Sequence, residues 1–137
     1  MALKKLTPAP DAFVIAADTV AAAGRRMLHK TESREEAETY LRLLSGRRHR
    51  VHSAVAVAAP DGRVSCRVVD SAVGFARLDE TQLRAYLESG EWRGKAGGYA
   101  IQGLAAGFID FLSGSYSGVV GLPLYETAAL LRGLGWH

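Results

Sequence analysis

The chain has 137 residues with 17 basic and 14 acidic side chains, a formal charge of +3, and 48% hydrophobic and 23% charged residues. That length fits one domain with its own core, and the composition is that of a folded globular protein and not of a disordered one. The single cysteine, Cys66, excludes an intrachain disulfide. No run is apolar for long enough to span a bilayer, and Thr7-Pro8-Ala9-Pro10-Asp11 interrupts any leader-like stretch after Lys4 and Lys5, so the expected location is the cytoplasm, with no membrane partner.

The apolar run Phe-Val-Ile-Ala-Ala at 13–17 reads as a buried strand. It leads into Asp18-Thr19, polar residues at the strand's carboxyl end, where ligand sites gather in open α/β sheets. Val20 to Ala23 can extend it before Gly24 turns the chain. A helix is predicted over 33–44, because Ser33 and Glu36 form a capping-box pair and Ala37, Tyr40, Leu41 and Leu44 share one face. Ser45-Gly46 stops it. The basic run Arg47-Arg48-His49-Arg50 reads either as a solvated loop or as a phosphate-attracting one.

Strands are predicted over 50–58 and 63–76, joined by the turn Pro60-Asp61-Gly62 into an antiparallel hairpin. Cys66 falls in the alternating second strand, where a packing role is favoured over a reactive one. A second helix runs from Leu78 to about Glu88, with Asp79 as N-cap and Leu83, Tyr86 and Leu87 as its apolar face. A glycine-rich loop follows over 91–99, then a strand over 107–112, a polar turn over 113–118, and a last helix over roughly 124–132 with Gly133 as its stop. This order predicts an α/β domain whose sheet is mixed.

Four segments together resemble one family. They are Ala17-Asp18-Thr19-Val20; Leu44-Ser45-Gly46 with His49 and Val51; Gly90-Glu91 leading into Lys95-Ala96-Gly97-Gly98-Tyr99-Ala100-Ile101-Gln102-Gly103; and Gly114-Ser115-Tyr116-Ser117 leading into Val119-Val120-Gly121-Leu122-Pro123. In this order they look like the Maf proteins, also called septum-formation proteins, over about residues 13–135. The resemblance implies an elongated, ITPase-like α/β fold: a mixed, twisted sheet with flanking helices and a central cleft between two lobes. It implies a nucleoside triphosphate pyrophosphatase that uses a divalent metal cation, Mg²⁺ or Mn²⁺, and that in many relatives is a homodimer. Lys95-Ala96-Gly97 with Ile101-Gln102-Gly103 resembles the branch that prefers dTTP and UTP.

Such a reaction needs a cation, a positioned water and donors that hold the triphosphate. Asp18 can ligate a hard metal ion and can accept a proton from water, and the resemblance assigns it the catalytic role; a turn or N-cap aspartate is the competing reading. Thr19 can bond phosphate or satisfy the backbone. Lys30 matches a family lysine that contacts phosphate, although the family's Gly-Lys-Pro stands here as His29-Lys30-Thr31; a solvated lysine competes. Lys95 sits where glycines let backbone approach a ligand, with Gly94 in place of the family's aspartate. Gln102 offers a donor and an acceptor to a pyrimidine edge or to water, or else braces backbone. Trp92, Tyr99 and Tyr116 suit base stacking, but packing is favoured for each. His49 and His52 lack the further ligands of a zinc site, and the arginine run lacks any nucleic-acid reading motif.

The family's opening strand and its Ser-x-Ser-Pro-Arg-Arg loop have no counterpart in the chain, which therefore reads as a single Maf-like domain over 1–137, N-terminally short of the family pattern. Loss of such positioned donors commonly costs about 10²–10³ in rate, so weak turnover is expected. The alternative is a catalytically inactive regulatory protein that binds nucleotide or a partner in septum formation.

Overall fold

A computed structural model describes residues 11–137. Its backbone is one five-stranded sheet in the order β2-β1-β3-β4-β5. The strands are β1 (Val14–Ala23), β2 (Arg26–Leu28), β3 (Arg48–Ala58), β4 (Val64–Phe75) and β5 (Ile109–Ser113). The helices are α1 (Arg34–Leu44), α2 (Glu80–Ser89), α3 (Tyr116–Val120) and α4 (Leu124–Gly133), and a 3-10 turn, Leu104–Phe108, precedes β5. The α/β fold with flanking helices is as expected. Among the described residues the four ladders are antiparallel, and the parallel component is confined to a bridge between Thr31 and Arg93.

Side chains alternate across each strand, and here one face carries the core. Ala21, Val51, Val55, Val57 and Val73 are buried on that face. Against one end pack α1, α2 and the 92–105 segment, through Leu41, Leu44, Tyr86, Leu87, Trp92, Tyr99 and Ile101. Against the other end packs α4, through Leu130 and Leu134. The opposite face is more open: Val64 and Val68 are exposed, and so is Cys66, contrary to its expected packing role. Alternation identified Cys66 as a strand residue, but it could not say which face would be covered. No helix among the described residues is long and apolar enough to cross a membrane.

The N-cap predictions are met at Ser33 and Asp79, but the predicted Ser33–Glu36 capping box is only half formed, because the Glu36 side chain accepts the Glu32 N–H at 3.1 Å instead of the Ser33 N–H. Ser33 Oγ accepts the Glu36 N–H at 3.2 Å. Asp79 accepts the Gln82 N–H at 2.7 Å while the Gln82 side chain accepts the Asp79 N–H at 3.1 Å, a complete capping box. Three further expectations are corrected. The basic run 48–50 is strand and not loop. The last helix includes Gly133 as its final residue, with Leu134 as the C-cap. The polar turn at 113–118 contains α3, capped by Ser115 Oγ on the Gly118 N–H at 2.9 Å.

The junction of β5 and α3 depends on Gly114. Its φ is +121°, and an added Cβ would meet Ser71 Oγ at 2.6 Å and Ser71 Cα at 2.9 Å. Ser71 Oγ also accepts the Ser115 N–H at 2.9 Å, so it cannot move without losing that bond. Gly114→Ala should therefore destabilise the fold by about 2–3 kcal/mol, from strain and contact together. Urea unfolding measures it, and an unchanged midpoint would mean that the junction yields without cost.

Candidate active site

Beside the larger core cluster, over the covered face of the sheet, lies a cavity of about 300 Å³. Its floor includes Ala17, Thr19, Ala21 and Val51; one wall is Lys30 with the 94–102 segment, and the other is Val119 to Gly121. Asp18, Thr19, Lys30, Lys95 and Gln102 all line it. Five residues singled out in the sequence, spread over more than 80 positions, thus share one wall-and-floor system.

Asp18 and Thr19 are not at a strand end. β1 continues to Ala23 because β3 pairs it as far as Ala22↔Arg50. Neighbouring strand residues point to opposite faces, yet both residues border the cavity. The Asp18 carboxylate explains how: its Oδ1 accepts the Thr19 N–H at 2.9 Å. A strand amide points within the plane of the sheet, so the carboxylate lies beside the strand edge and not straight out from the far face. That edge is open, since β2 pairs β1 only at Ala21–Ala23 and no other ladder partner flanks residues 14–20 there among the described residues. Thr19 Oγ1 reaches Gly121 O at 3.5 Å, a long contact linking the floor to the far wall.

The two lysines are brought together by backbone pairing. Lys30 bridges Ala96, and Gly97 N–H donates to His29 O at 3.2 Å. Gly94, which stands where the resembled family has aspartate, has φ +73° and donates its N–H to Thr31 O at 2.7 Å. Glycine meets that backbone without strain. Neither lysine is paired with a carboxylate among the described residues. The segment that carries Lys95 and Gln102 is pinned from below: Trp92 Nε1 donates to Leu87 O at 2.8 Å, and Tyr86 OH donates to Gly98 O at 2.8 Å. Glu91 accepts the Leu104 N–H at 2.8 Å, just past Gln102. The Gln102 side chain is exposed and makes no hydrogen bond among the described residues, so its amide does not brace the backbone.

Trp92 and Tyr99 are packing residues: both are buried, while Tyr116 is exposed. Tyr99 also borders the cavity, and its hydroxyl meets His49 Nε2 at 2.5 Å. Burial pushes the Tyr99 phenol up and the His49 imidazole down to about 4. The sequence analysis named His49 and Tyr99 separately but not their pairing, which joins residues 50 positions apart and has no local signature. His49 and His52, three apart in an extended strand, face opposite sides, and His52 pairs with Asp70 at 2.5 Å.

The cavity combines one carboxylate, two lysines and an unbonded amide, a donor set whose chemistry suits an anionic small molecule. The chain belongs to the Maf-like protein family, whose model matches residues 1–134. It is 62% identical over 137 residues to the dTTP/UTP pyrophosphatase of Granulibacter bethesdensis, covering 98% of this chain and 64% of that protein. It is 60% identical over 126 residues to the protein of that name from Maricaulis maris, covering 92% and 61%. Against that of Caulobacter vibrioides it is 58% identical over 129 residues, covering 94% and 67%. The chain therefore spans about two thirds or less of the length of these curated relatives.

Proposed function

We propose that this chain carries catalytic residues of a nucleoside triphosphate pyrophosphatase acting on dTTP and UTP. The observation that carries this is the convergence of Asp18, Lys30, Lys95 and Gln102 on one cavity, in a chain whose relatives are named for that activity. Water attacks the α-phosphorus, a new P–O bond forms, and the α–β bridging bond breaks with pyrophosphate as leaving group. Asp18 Oδ1 holds the Thr19 N–H, so Oδ2 is left to take the water proton. Lys30 and Lys95 oppose the negative charge of the β- and γ-phosphates. Gln102 matches the alternating donor and acceptor edge of thymine or uracil.

The reading includes a divalent cation. Mg²⁺ is commonly held by one or two carboxylates together with substrate phosphates, so a cavity with Asp18 as its one carboxylate suits a metal that arrives with the nucleotide. Among the described residues no cluster of three or more His, Cys, Asp or Glu could hold such an ion alone. When bound, the cation neutralises phosphate charge. The reading places the protein with the cytoplasmic nucleotide pool.

The test is product analysis with dTTP and UTP in the presence of Mn²⁺. Pyrophosphate and the monophosphate should form, without orthophosphate. Lys30→Ala and Lys95→Ala should each raise KM about tenfold or more, the scale of one charge-assisted hydrogen bond. Saturable dTTP binding without hydrolysis would favour a regulatory nucleotide binder instead, and no binding at all would overturn both.

A further inference from the structure

Thr31 is fully buried, although it follows a cavity lysine and sits outside every helix and named strand. It is joined to the facing segment by all of its polar groups. Its N–H donates to Lys95 O at 3.1 Å, and its carbonyl accepts the Gly94 N–H at 2.7 Å. Its hydroxyl donates to Trp92 O at 2.5 Å and also lies 3.3 Å from Lys95 O. Trp92 is in turn fixed in the core by its indole bond to Leu87 O. The backbone bonds are open to most residues, but the hydroxyl bond is specific to serine or threonine.

We propose that Thr31 is a positioning residue: by tying the chain beside Lys30 to the Trp92–Lys95 turn, it sets the spacing of the two ammonium groups along the cavity wall. The inference rests on the nucleotide-binding reading and assigns it a spacing element. Two cations on flexible stems hold a polyphosphate tightly only if their backbones keep a fixed separation, because each otherwise loses side-chain freedom on binding. The hydroxyl ties that separation to the core. Its loss should not orphan Trp92 O, which also accepts the Lys95 N–H at 3.2 Å. The expected defect is therefore one of placement and not of folding.

The test is Thr31→Val, with Thr31→Ser as the conservative control. Affinity for dTTP and for inorganic tripolyphosphate, measured by calorimetry, should fall about five- to tenfold in the valine variant. The serine variant should stay within about twofold of the native chain. In turnover the change should appear in KM, with kcat held within about twofold. In a Lys30→Ala background the valine substitution should add little, because the spacing then has no second cation to serve; such non-additivity is the mark of coupled residues, and a merely structural role would persist there. Thr31→Ala removes the same hydroxyl and gives the comparison if the valine variant shows no cooperative thermal transition. Native-like affinity in a folded valine or alanine variant, or full additivity with Lys30→Ala, overturns the inference alone. Absence of dTTP and tripolyphosphate binding by the native chain overturns the nucleotide reading along with it.

Discussion

Asp18→Asn should lower kcat for pyrophosphate release from dTTP by about 10²–10⁴, the range for loss of a positioned base, and should leave the fold intact. Asparagine is nearly isosteric, and its carbonyl oxygen can still accept the Thr19 N–H that Asp18 Oδ1 now holds at 2.9 Å. The side chain is exposed, so the substitution creates no cavity and strands no buried partner. It does remove the negative charge and the oxygen able to take a proton from water. The loss should therefore fall on kcat with little change in the thermal midpoint. Nucleotide affinity measured without metal should hold or improve slightly, since a carboxylate near a triphosphate repels it. Single-turnover measurement of pyrophosphate settles the size of the effect. A decrease of threefold or less would mean that the proton goes elsewhere, and that Asp18 is a strand residue whose place beside the cavity is incidental.

What could be read from the sequence was whatever is encoded over a few residues. α1 was legible from Ser33, which caps it, and from the 37-40-41-44 stripe, which is buried as its spacing requires. The β3–β4 hairpin was legible because Pro60-Asp61-Gly62 separates two β-branched runs, and the register closes at Ala58↔Val64. β2 escaped notice because three residues carry no periodicity. α3 escaped for a different reason. Ser-Gly-Ser-Tyr-Ser-Gly has the composition of a turn, and its one turn of helix is held by distant partners: Ser53 Oγ donates to Gly118 O at 2.5 Å, and Ser71 Oγ accepts the Ser115 N–H at 2.9 Å.

The same division runs through the cavity. Asp18, Lys30, Lys95 and Gln102 were identified by resemblance as separate points on the chain, and chemistry suggested what each could do. That Asp18 and Gln102 share one cleft was implied by the resemblance, but the contacts that build the cleft were not legible. The cleft depends on the Thr31 bonds to residues 92–95 and on the seating of α3 over β3 and β4, which are long-range contacts without local signature. The end of β1 was misplaced for a related reason: a polar pair looks like a terminus until a partner strand as long as β3 is seen to carry the ladder past it.

His49 should make the fold acid-sensitive in a defined window. The residue is 3% exposed, its ring is edge-on to Phe75 at 5.5 Å and to Tyr99 at 5.4 Å, and its Nδ1 has no hydrogen-bond partner among the described residues. Burial lowers its pKa from 6.5 to about 4. The folded chain therefore keeps the imidazole neutral at pH values where the unfolded chain already binds a proton. Stability from this group is complete above about pH 6.5 and is lost as pH falls toward 4, because the unfolded state holds more protons in that interval. At about 1.4 kcal/mol per unit the loss comes to about 3 kcal/mol. His49→Gln removes the titration and keeps a polar group for the Tyr99 hydroxyl. It should be less stable than the native chain at pH 7, because aromatic contact is lost. Glu36, Asp61 and Glu80, whose pKa values lie below the usual range because of their hydrogen-bond partners, titrate in both proteins and cancel in the comparison. The native advantage over the variant, read from urea midpoints, should thus shrink by about 3 kcal/mol between pH 7 and pH 4. Parallel pH profiles would show that the ring is protonated or solvated in the folded state. Since Tyr99 borders the cavity, the lower limb should also carry a loss of nucleotide binding that the glutamine variant does not share.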